Sequence, residues 1–345
     1  MGIKLKEIIE KKETSFEELS GKILVIDSFN ILYQFLSSIR QRDGTPLMDG
    51  RGKITSHLSG LFARTAKMLE FGIKPVFVFD GKPPQIKEKE RKRRAELKED
   101  AARQYKIAME REDIESMKKF GSRISYLSEE IIEESKELIK AMGIPVVQAP
   151  SEGEAQAAYI VNKSEAFAEV SQDYDCLLYG VKKVIQNLTI SERRKKPGAL
   201  AYEKVVPEII DLNENLKKLG ISQEQLIIIG ILVGTDYNIG GVKGIGPKKA
   251  LKLIEEFGED FDRLFREVKW EENFDFEWKE VYDTIKKMPV TDDYELKWKD
   301  FNAEKIREIL VERHDFALER VNSTIEKLSA LKKKSSQKGL GAWVR

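Results

Sequence analysis

The feature that most constrains this chain is a series of short apolar runs separated by helix-patterned stretches. KILVIDSFN (Lys22–Asn30) runs apolar up to Asp27. KPVFVFDGKPP (Lys74–Pro84) runs apolar up to Asp80 and is then broken by a glycine and two prolines. GIPVVQAP (Gly143–Pro150), AEVSQDYDCLLYG (Ala168–Gly180) and KKVIQNLTI (Lys182–Ile190) are three more. Between them, Ile54–Phe71, Glu129–Met142 and Glu152–Asn162 carry helical patterns. Strands alternating with helices predict an α/β architecture, a largely parallel central sheet flanked by helices. Ligands of such sheets bind beyond the C-terminal strand ends, where Asp27 and Asp80 fall.

Further acids gather near the same predicted edge. Asp173 and Asp175 lie two apart in SQDYDCLLYG, Glu152 and Glu154 follow QAPS, and Asp236 sits in VGTDYN. In an extended chain, residues i and i+2 point to one side, so Asp173 and Asp175 would repel each other unless a cation lay between them. Plainer readings exist. SEGE fits a capping box, with Ser151 capping the helix and Glu154 reaching back, and an Asp closing a strand can simply open a turn. With 59 acids in 345 residues, any one pair arises by chance. Convergence of four separate segments on one edge does not. The chain has only two histidines, His57 and His314, and one cysteine, Cys176. A zinc site of the usual His/Cys kind therefore has almost no ligands, and carboxylates point to Mg²⁺ or Mn²⁺. Crowded carboxylates raise one another's pKa values, a penalty that divalent cations remove. Two such ions about 3.5–4 Å apart are a common apparatus for phosphodiester hydrolysis.

Net charge is +1, but the charges are unevenly spread. Lys87 to Lys119 is helical in propensity, dense in charge and poor in large apolar residues, which predicts a solvated helix or an excursion from the core. Its start, KEKERKRR (Lys87–Arg94), holds six basic and two acidic residues. Gln223–Gly258 reads as helix, turn, helix. Within it, GVKGIGPKKA (Gly241–Ala250) offers Gly244 and Gly246 for close backbone approach, a helix N-terminus, and Lys248 and Lys249, a pattern suited to phosphate. RRKKPG (Arg193–Gly198) adds a third basic cluster. Trp270, Trp278 and Trp298 predict packed helices. SALKKKSS (Ser329–Ser336) reads as a polar linker, and the tail QKGLGAWVR places Leu340 and Trp343 three apart, suited to a partner's groove. No apolar run of 18 or more residues indicates a membrane span, the N-terminus lacks a secretory pattern, and the lone cysteine fits a reducing interior. An intracellular protein, cytoplasmic or nucleoid-associated, is expected.

Five blocks carry a resemblance: SHLSGLFARTAKML, VFDGKPPQIK, SEGEAQAAY, SQDYDCLLYG and GTDYNIGGVKGIGPKKA, in order and at characteristic spacing. The chain resembles the structure-specific 5′ nucleases, most closely flap endonucleases of the archaeal–eukaryotic type and their archaeal members in particular. The likeness runs from Met1 to about residue 260 and resumes in the tail. It implies a PIN-like nuclease fold with a charged helical arch and a helix-hairpin-helix-like DNA-binding element. By resemblance, Asp27, Asp80, Glu152 and Glu154 would hold one Mg²⁺, and Asp173, Asp175 and Asp236 would complete a second, with Mn²⁺ as substitute. Lys87 and Arg94 would reach the scissile phosphate from the base of the arch. Tyr33 would stack on a base beside the cut, Arg40 and Arg64 would contact DNA, and Gly2 would lie near the active site. The Gly241–Gly246 hairpin would bind duplex backbone and carry a monovalent cation, K⁺ or Na⁺. The tail resembles a sliding-clamp motif with Gln337 first, then Leu340, and Trp343–Val344 in place of two aromatics. DSFNILY (Asp27–Tyr33) also departs from the usual pattern, with Phe29 and Asn30 where smaller residues are common.

These readings divide the chain into a single nuclease core over 1–328, a linker over 329–336 and a clamp-binding tail over 337–345. Within the core, an N-terminal region runs to about 105, the arch covers about 82–119, an internal region about 122–258, and a helical part 259–328. The expected activity is Mg²⁺-dependent cleavage of 5′ flaps on branched DNA by a monomer, both endonucleolytic and 5′–3′ exonucleolytic, in replication and repair. Two rival readings fit the sequence less well. A non-catalytic clamp-bound DNA adaptor would not need seven carboxylates. An aspartyl-phosphate phosphatase would want D-x-D at the first strand end, where Asp27 is followed two later by Phe29.

Overall fold

The computed structural model describes residues 3–121, 123–124, 127–190, 193–195 and 202–341, with the side chains of 193–195, 202–204 and 332–341 outside that description. One seven-stranded sheet contains β1 (Lys12–Glu13), β2 (Ile23–Asp27), β3 (Lys74–Phe79), β4 (Val146–Gln148), β5 (Ala168–Val170), β6 (Lys183–Gln186) and β9 (Glu208–Asp211). β7 (Arg193–Lys195) and β8 (Tyr202–Lys204) form a separate hairpin. The spatial order is β1-β9-β6-β5-β2-β3-β4. Strands β2 to β6 are mutually parallel, and β9 and β1 add an antiparallel edge.

Helices α1 (Ser28–Ser38) and α2 (Ser56–Glu70) join β2 to β3. α3 (Glu88–Glu110), α4 (Ile114–Gly121) and α5 (Glu129–Ala141) join β3 to β4, and α6 (Gly153–Asn162) joins β4 to β5. α7 (Leu212–Leu219), α8 (Gln223–Val233), α9 (Pro247–Phe257), α10 (Phe261–Glu267), α11 (Trp278–Lys286), α12 (Ala303–Arg307) and α13 (Leu318–Gly341) follow. The chain steps from β2 outward through β3 and β4, then returns to place β5 on the other side of β2. That reversal is the topological switch point at which such sheets open a crevice.

Alternation along the strands builds two cores. Val25, Val76, Val78 and Val147 pack with the inner residues of α6 and α8. Leu24, Ile26, Phe77 and Phe79 pack with α1, α2 and α5 on the opposite face. α8 (QEQLIIIGILV) buries every residue from Leu226 to Leu232, so it is a core helix rather than an amphipathic one. α3 is its opposite, burying only Glu90, Ala101 and Ala108. α3 and α4 form the expected charged excursion as a two-helix hairpin. Its foot rests on the loop after α1, where Gly44 has φ +91° and a Cβ would meet the Lys118 backbone at 2.8 Å.

Three local expectations change. Asp173 and Asp175 are not on a strand: β5 ends at Val170, and Asp175–Tyr179 is a 3₁₀ helix. The apolar triplet Cys176–Leu178 is buried by that turn instead of by sheet pairing. Ser151 does not cap α6. Glu152 is the N-cap residue without a side-chain cap bond, Ser151 Oγ donates to the Lys82 carbonyl at 2.9 Å, and the Gly153 N–H is satisfied by Asp80 Oδ1 at 2.8 Å. A tertiary carboxylate has replaced the local capping box. Residues 329–336, read as a linker, continue the backbone of α13; Ala330, Leu331 and three lysines are strong helix formers, and the stretch holds no glycine or proline.

Trp270, Trp278 and Trp298 are structural. Trp298 Nε1 donates to the Pro75 carbonyl at 2.9 Å, and Trp278 stacks on Phe265 with centroids 4.5 Å apart, next to Trp270. The two histidines, 257 positions apart, meet on one carboxylate. His314 Nδ1 lies 3.1 Å from Asp49 Oδ2 and its Nε2 3.1 Å from Glu134 Oε1, while His57 Nε2 lies 3.5 Å from Glu134 Oε2. Burial pushes His57 below its ordinary 6.5, against the upward pull of Glu134. The unfolded chain therefore takes up a proton before the folded one does. Stability from His57 is complete above about pH 6.5 and is lost as the pH falls below it. Thermal unfolding followed from pH 7.5 to 5 should show a falling midpoint, and His57→Gln should make that fall shallower; an unchanged slope would show that His57 does not carry it.

Candidate active site

Four neighbouring parallel strands deliver acids to one cleft of about 600 Å³. β2 ends on Asp27, and Asp80 follows β3 directly. Glu152 and Glu154 stand at the start of α6 just after β4, and Asp173 and Asp175 follow β5. Asp236 comes from the loop after α8. All seven carboxylates line the cleft, together with Lys87, Arg94, Tyr33 and Asn30. Glu154, Asp173 and Asp175 each offer an oxygen within 4.8 Å of the others, close enough to share a metal ion.

Local structure fixes each group. Asp27 caps α1 by accepting from the Asn30 N–H at 3.1 Å. Asn30, marked above as a departure, holds the site together: its Nδ2 donates to Asp173 Oδ2 at 2.9 Å, and its Oδ1 accepts from the Gln172 N–H at 3.2 Å. Asp175 Oδ1 accepts from the Ile3 N–H at 3.2 Å. Gly153 is required where it stands, because a Cβ there would come within 2.4 Å of Asp80 Oδ1. Asn30 was legible only as an oddity, since nothing in one sequence announces a partner 143 positions away.

The electrostatics are those of an acid cluster short of cations. Burial, then the Asp80 charge, pushes Asp27 well above the usual carboxylate range. Burial, with Asp175 and Asp27 beside it, does the same to Glu154. Asp80 is pushed up to about 7 by burial and Glu152, and Asp175 to about 7 by burial and Asp173. Glu152 Oε1 is buried without a hydrogen-bond partner. Two cations of the chain lean in. Lys87 Nζ lies 2.7 Å from Glu152 Oε2 and 3.4 Å from Asp236 Oδ2, and Arg94 Nη2 donates to Asp236 Oδ1 at 2.5 Å. Burial works against the Lys87 charge, but Glu152 and Asp236 outweigh it and raise its pKa. A hard, oxygen-loving divalent ion fits this donor set: seven buried or half-buried carboxylate groups and an unpartnered oxygen.

The other expected residues are more dispersed. Tyr33 lines the cleft at 38% exposure, with Lys98 Nζ 5.0 Å from its ring centre. Arg40 donates to the Gly44 carbonyl at 2.8 Å, in the loop under the arch foot, and Arg64 lies on α2 outside the cleft lining. In the turn before α9, a Cβ on Gly244 or Gly246 would meet nothing within 4 Å, whereas Gly234 and Gly241 are crowded by backbone at 2.4 and 2.3 Å. Close packing thus accounts for Gly234 and Gly241 and a φ of +77° for Gly244, while open space lies beside both Gly244 and Gly246. Lys248 is exposed in the first turn of α9, within 3.7 Å of Glu7, and Lys249 is exposed beside it. Gly2, Trp343 and Val344 lie outside the described residues; Gln337 and Leu340 fall on the α13 backbone, with side chains outside the description.

A parallel sheet with a carboxylate cluster at its switch point and a basic helical hairpin rising from the same edge defines a nuclease of the XPG type. The XPG N-terminal domain matches residues 1–101 and the XPG I-region matches residues 143–236. Flap endonuclease 1 of Staphylothermus marinus is 50% identical over 350 residues, covering 99% of each chain. That of Pyrococcus furiosus is 47% identical over 345 residues, covering 100% of each. Among solved structures, flap endonuclease-1 from Methanococcus jannaschii superposes with a TM-score of 0.76 at 45% identity, covering 97% of this chain and all of that one. The catalytic core of Rad2, solved in complex with a DNA substrate, gives 0.68 at 25% identity, covering 95% and 100%. The chain belongs to the flap endonuclease family, and its activity is that of a structure-specific flap nuclease.

The charge deficit predicts how the site responds to metal. Adding Mg²⁺ to metal-free protein should raise its unfolding temperature. Asp175→Asn should raise the metal-free temperature, because one repelling charge is gone, yet weaken metal affinity at least about tenfold. Scanning calorimetry with and without metal measures both, and an undiminished metal response would remove Asp175 from the ligand set.

Proposed function

We propose that the chain is a Mg²⁺-dependent endo- and 5′–3′ exonuclease that removes 5′ flaps at DNA junctions in replication, including Okazaki fragment maturation, and in repair, leaving a 5′-phosphate and a 3′-hydroxyl. The observation that carries this reading is the single cleft holding seven carboxylates with Lys87 and Arg94 at its rim. Asp27, Asp80, Glu152 and Glu154 would hold one ion, and Asp173, Asp175 and Asp236 a second; Mn²⁺ would substitute. Bound divalent ions lower the pKa of water and offset charge on the phosphate and the leaving oxygen.

The remaining roles belong to the chain's own residues. Lys87 and Arg94 balance the carboxylates while the site lacks metal. With divalent ions bound to the carboxylates, both cations would be free to face the scissile phosphate and offset charge that develops during cleavage. Tyr33 supplies an aromatic face at the cleft for the base beside the cut, and the α3–α4 hairpin stands where a single strand would pass. Selectivity then comes from strand shape and a free 5′ end. The N-terminus of α9, with Gly244, Gly246, Lys248 and Lys249, would hold duplex backbone without reading sequence, and the Gly241–Gly246 turn would take K⁺ or Na⁺. Arg40, Arg64 and Gly2 would add DNA contacts. The tail residues Gln337, Leu340, Trp343 and Val344 would dock on a sliding clamp. The protein would act as an intracellular monomer. Among the described residues no helix is long and apolar enough to cross a membrane.

A labelled 5′-flap duplex, incubated with Mg²⁺ or with chelator, tests the reaction: cleavage at the junction should require metal, and its absence with metal present would overturn the reading. Asp173→Ala should bind the flap normally but cleave several orders of magnitude more slowly, given what a metal-activated nucleophile supplies; near-normal turnover would remove Asp173 from the site. Deleting Gln337–Arg345 should abolish stimulation by a sliding clamp and leave basal cleavage intact, and persistent stimulation would place the clamp contact elsewhere.

A further inference from the structure

We infer that Glu90 is a positioning residue whose carboxylate sets the direction in which Arg94 reaches into the cleft. This rests on the reading above in which Arg94 serves the phosphate being cut. Glu90 lies in the first turn of α3, and its side chain is only 4% exposed, while Glu88 and Asp100 on the same helix are 63% and 60% exposed. A helix with so little apolar surface has no packing reason to hide one acid among its cations. The acid is hidden because it is fully engaged. Glu90 Oε2 accepts from Arg93 Nε at 2.7 Å, and its Oε1 accepts from Arg93 Nη2 at 2.8 Å and from Arg94 Nε at 2.6 Å.

The bond to Arg94 Nε is the informative one. A guanidinium is planar, so anchoring Nε on one side fixes the plane and turns the terminal nitrogens outward on the other. In this structure they turn into the cleft, where Nη2 meets Asp236 Oδ1 at 2.5 Å. Arg94 is 37% exposed, and without the anchor its flexible stem has both solvent and the acid cluster to turn toward. Glu90 also places one negative charge between two adjacent arginines that would otherwise repel each other. Glu90 does not line the cleft, and its bonds run to Arg93 and Arg94, so it acts through Arg94. A merely structural role is available to the same residue, because i,i+3 and i,i+4 ion pairs add helix support, and the test must separate the two.

Single-turnover and steady-state cleavage of a 5′-flap duplex by wild type, Glu90→Ala, Glu90→Gln, Arg94→Ala and the Glu90→Ala/Arg94→Ala double variant does so, with flap affinity measured in chelator and helicity followed by circular dichroism. Glu90→Ala should lower kcat by about tenfold to a hundredfold, the scale of a misplaced catalytic group, with flap affinity and helicity unchanged. Glu90→Gln keeps the shape and one acceptor, so its loss should be smaller. In the Arg94→Ala background, removing Glu90 should cost almost nothing more, because the residue it positions is gone. Losses that multiply in the double variant, or a loss confined to affinity or helicity, would overturn the inference. If Arg94→Ala is impaired and Glu90→Ala is not, the inference about Glu90 fails while the role of Arg94 stands. If Arg94→Ala cleaves at the wild-type rate, the reading of Arg94 fails with it.

Discussion

Like-charge repulsion among carboxylates at the ends of neighbouring strands is the interaction on which the rest of this molecule depends. β5, β2, β3 and β4 lie side by side in parallel, so each chain exit delivers its acid to the same place. Gathering seven there opposes folding, and raised carboxyl pKa values, backbone donors and nearby cations each relieve part of the repulsion. Backbone N–H groups of Asn30, Gly153 and Ile3 offset part of the charge on Asp27, Asp80 and Asp175. Lys87 and Arg94, at the root of the arch, offset more. The arch is therefore electrostatically coupled to the catalytic sheet through the very groups proposed to serve the substrate.

Such coupling explains why a basic helix lies against an acid cluster without neutralising it for good. Lys87 and Arg94 are held by charge, not by apolar packing, and charge partners can be exchanged. In the proposed reaction, divalent ions held by Glu152 and by Asp236 would leave both cations free to face a phosphate instead. Glu90 bonds Arg94 through Nε and Asp236 bonds it through Nη2, so the inferred anchor would not have to be released for the outward partner to change.

Much of the fold was legible because its signals are local. The five parallel strands, the flanking helices α2, α5 and α6, and the helix–turn–helix of α8 and α9 follow from apolar periodicity and from glycine and proline breaks. The acids of the site were legible as strand-end residues, and the shortage of histidine and cysteine narrowed the metal chemistry. What stayed hidden were partners distant in sequence. Asp80 satisfies the start of α6, so the local capping box of Ser151 and Glu154 never forms. Asp173 and Asp175 face one site through a 3₁₀ turn, not through strand alternation. The two-residue strand Lys12–Glu13 has no apolar signature and exists only because β9 offers an edge. His57 and His314, far apart in the chain, converge on Glu134. Asn30, read as a local irregularity, turned out to bond Asp173.

The bonds that tie Asp80–Lys82 to Pro150–Gly153 have a consequence for how this protein can change over evolutionary time. Gly81 donates to the Ser151 carbonyl at 2.6 Å, Lys82 to the Pro150 carbonyl at 3.2 Å, and Asp80 accepts from Gly153. The whole excursion that contains α3, α4 and α5 leaves and re-enters the sheet between two points stapled to each other. Lengthening or shortening the far part of that excursion costs only loop entropy, which grows slowly with length, and leaves the stapled ends where they are. The arch is in that sense a cassette: its tip is free to diversify toward differently shaped junctions, while its first turn, which carries Lys87, Glu90 and Arg94, stays fixed to the chemistry.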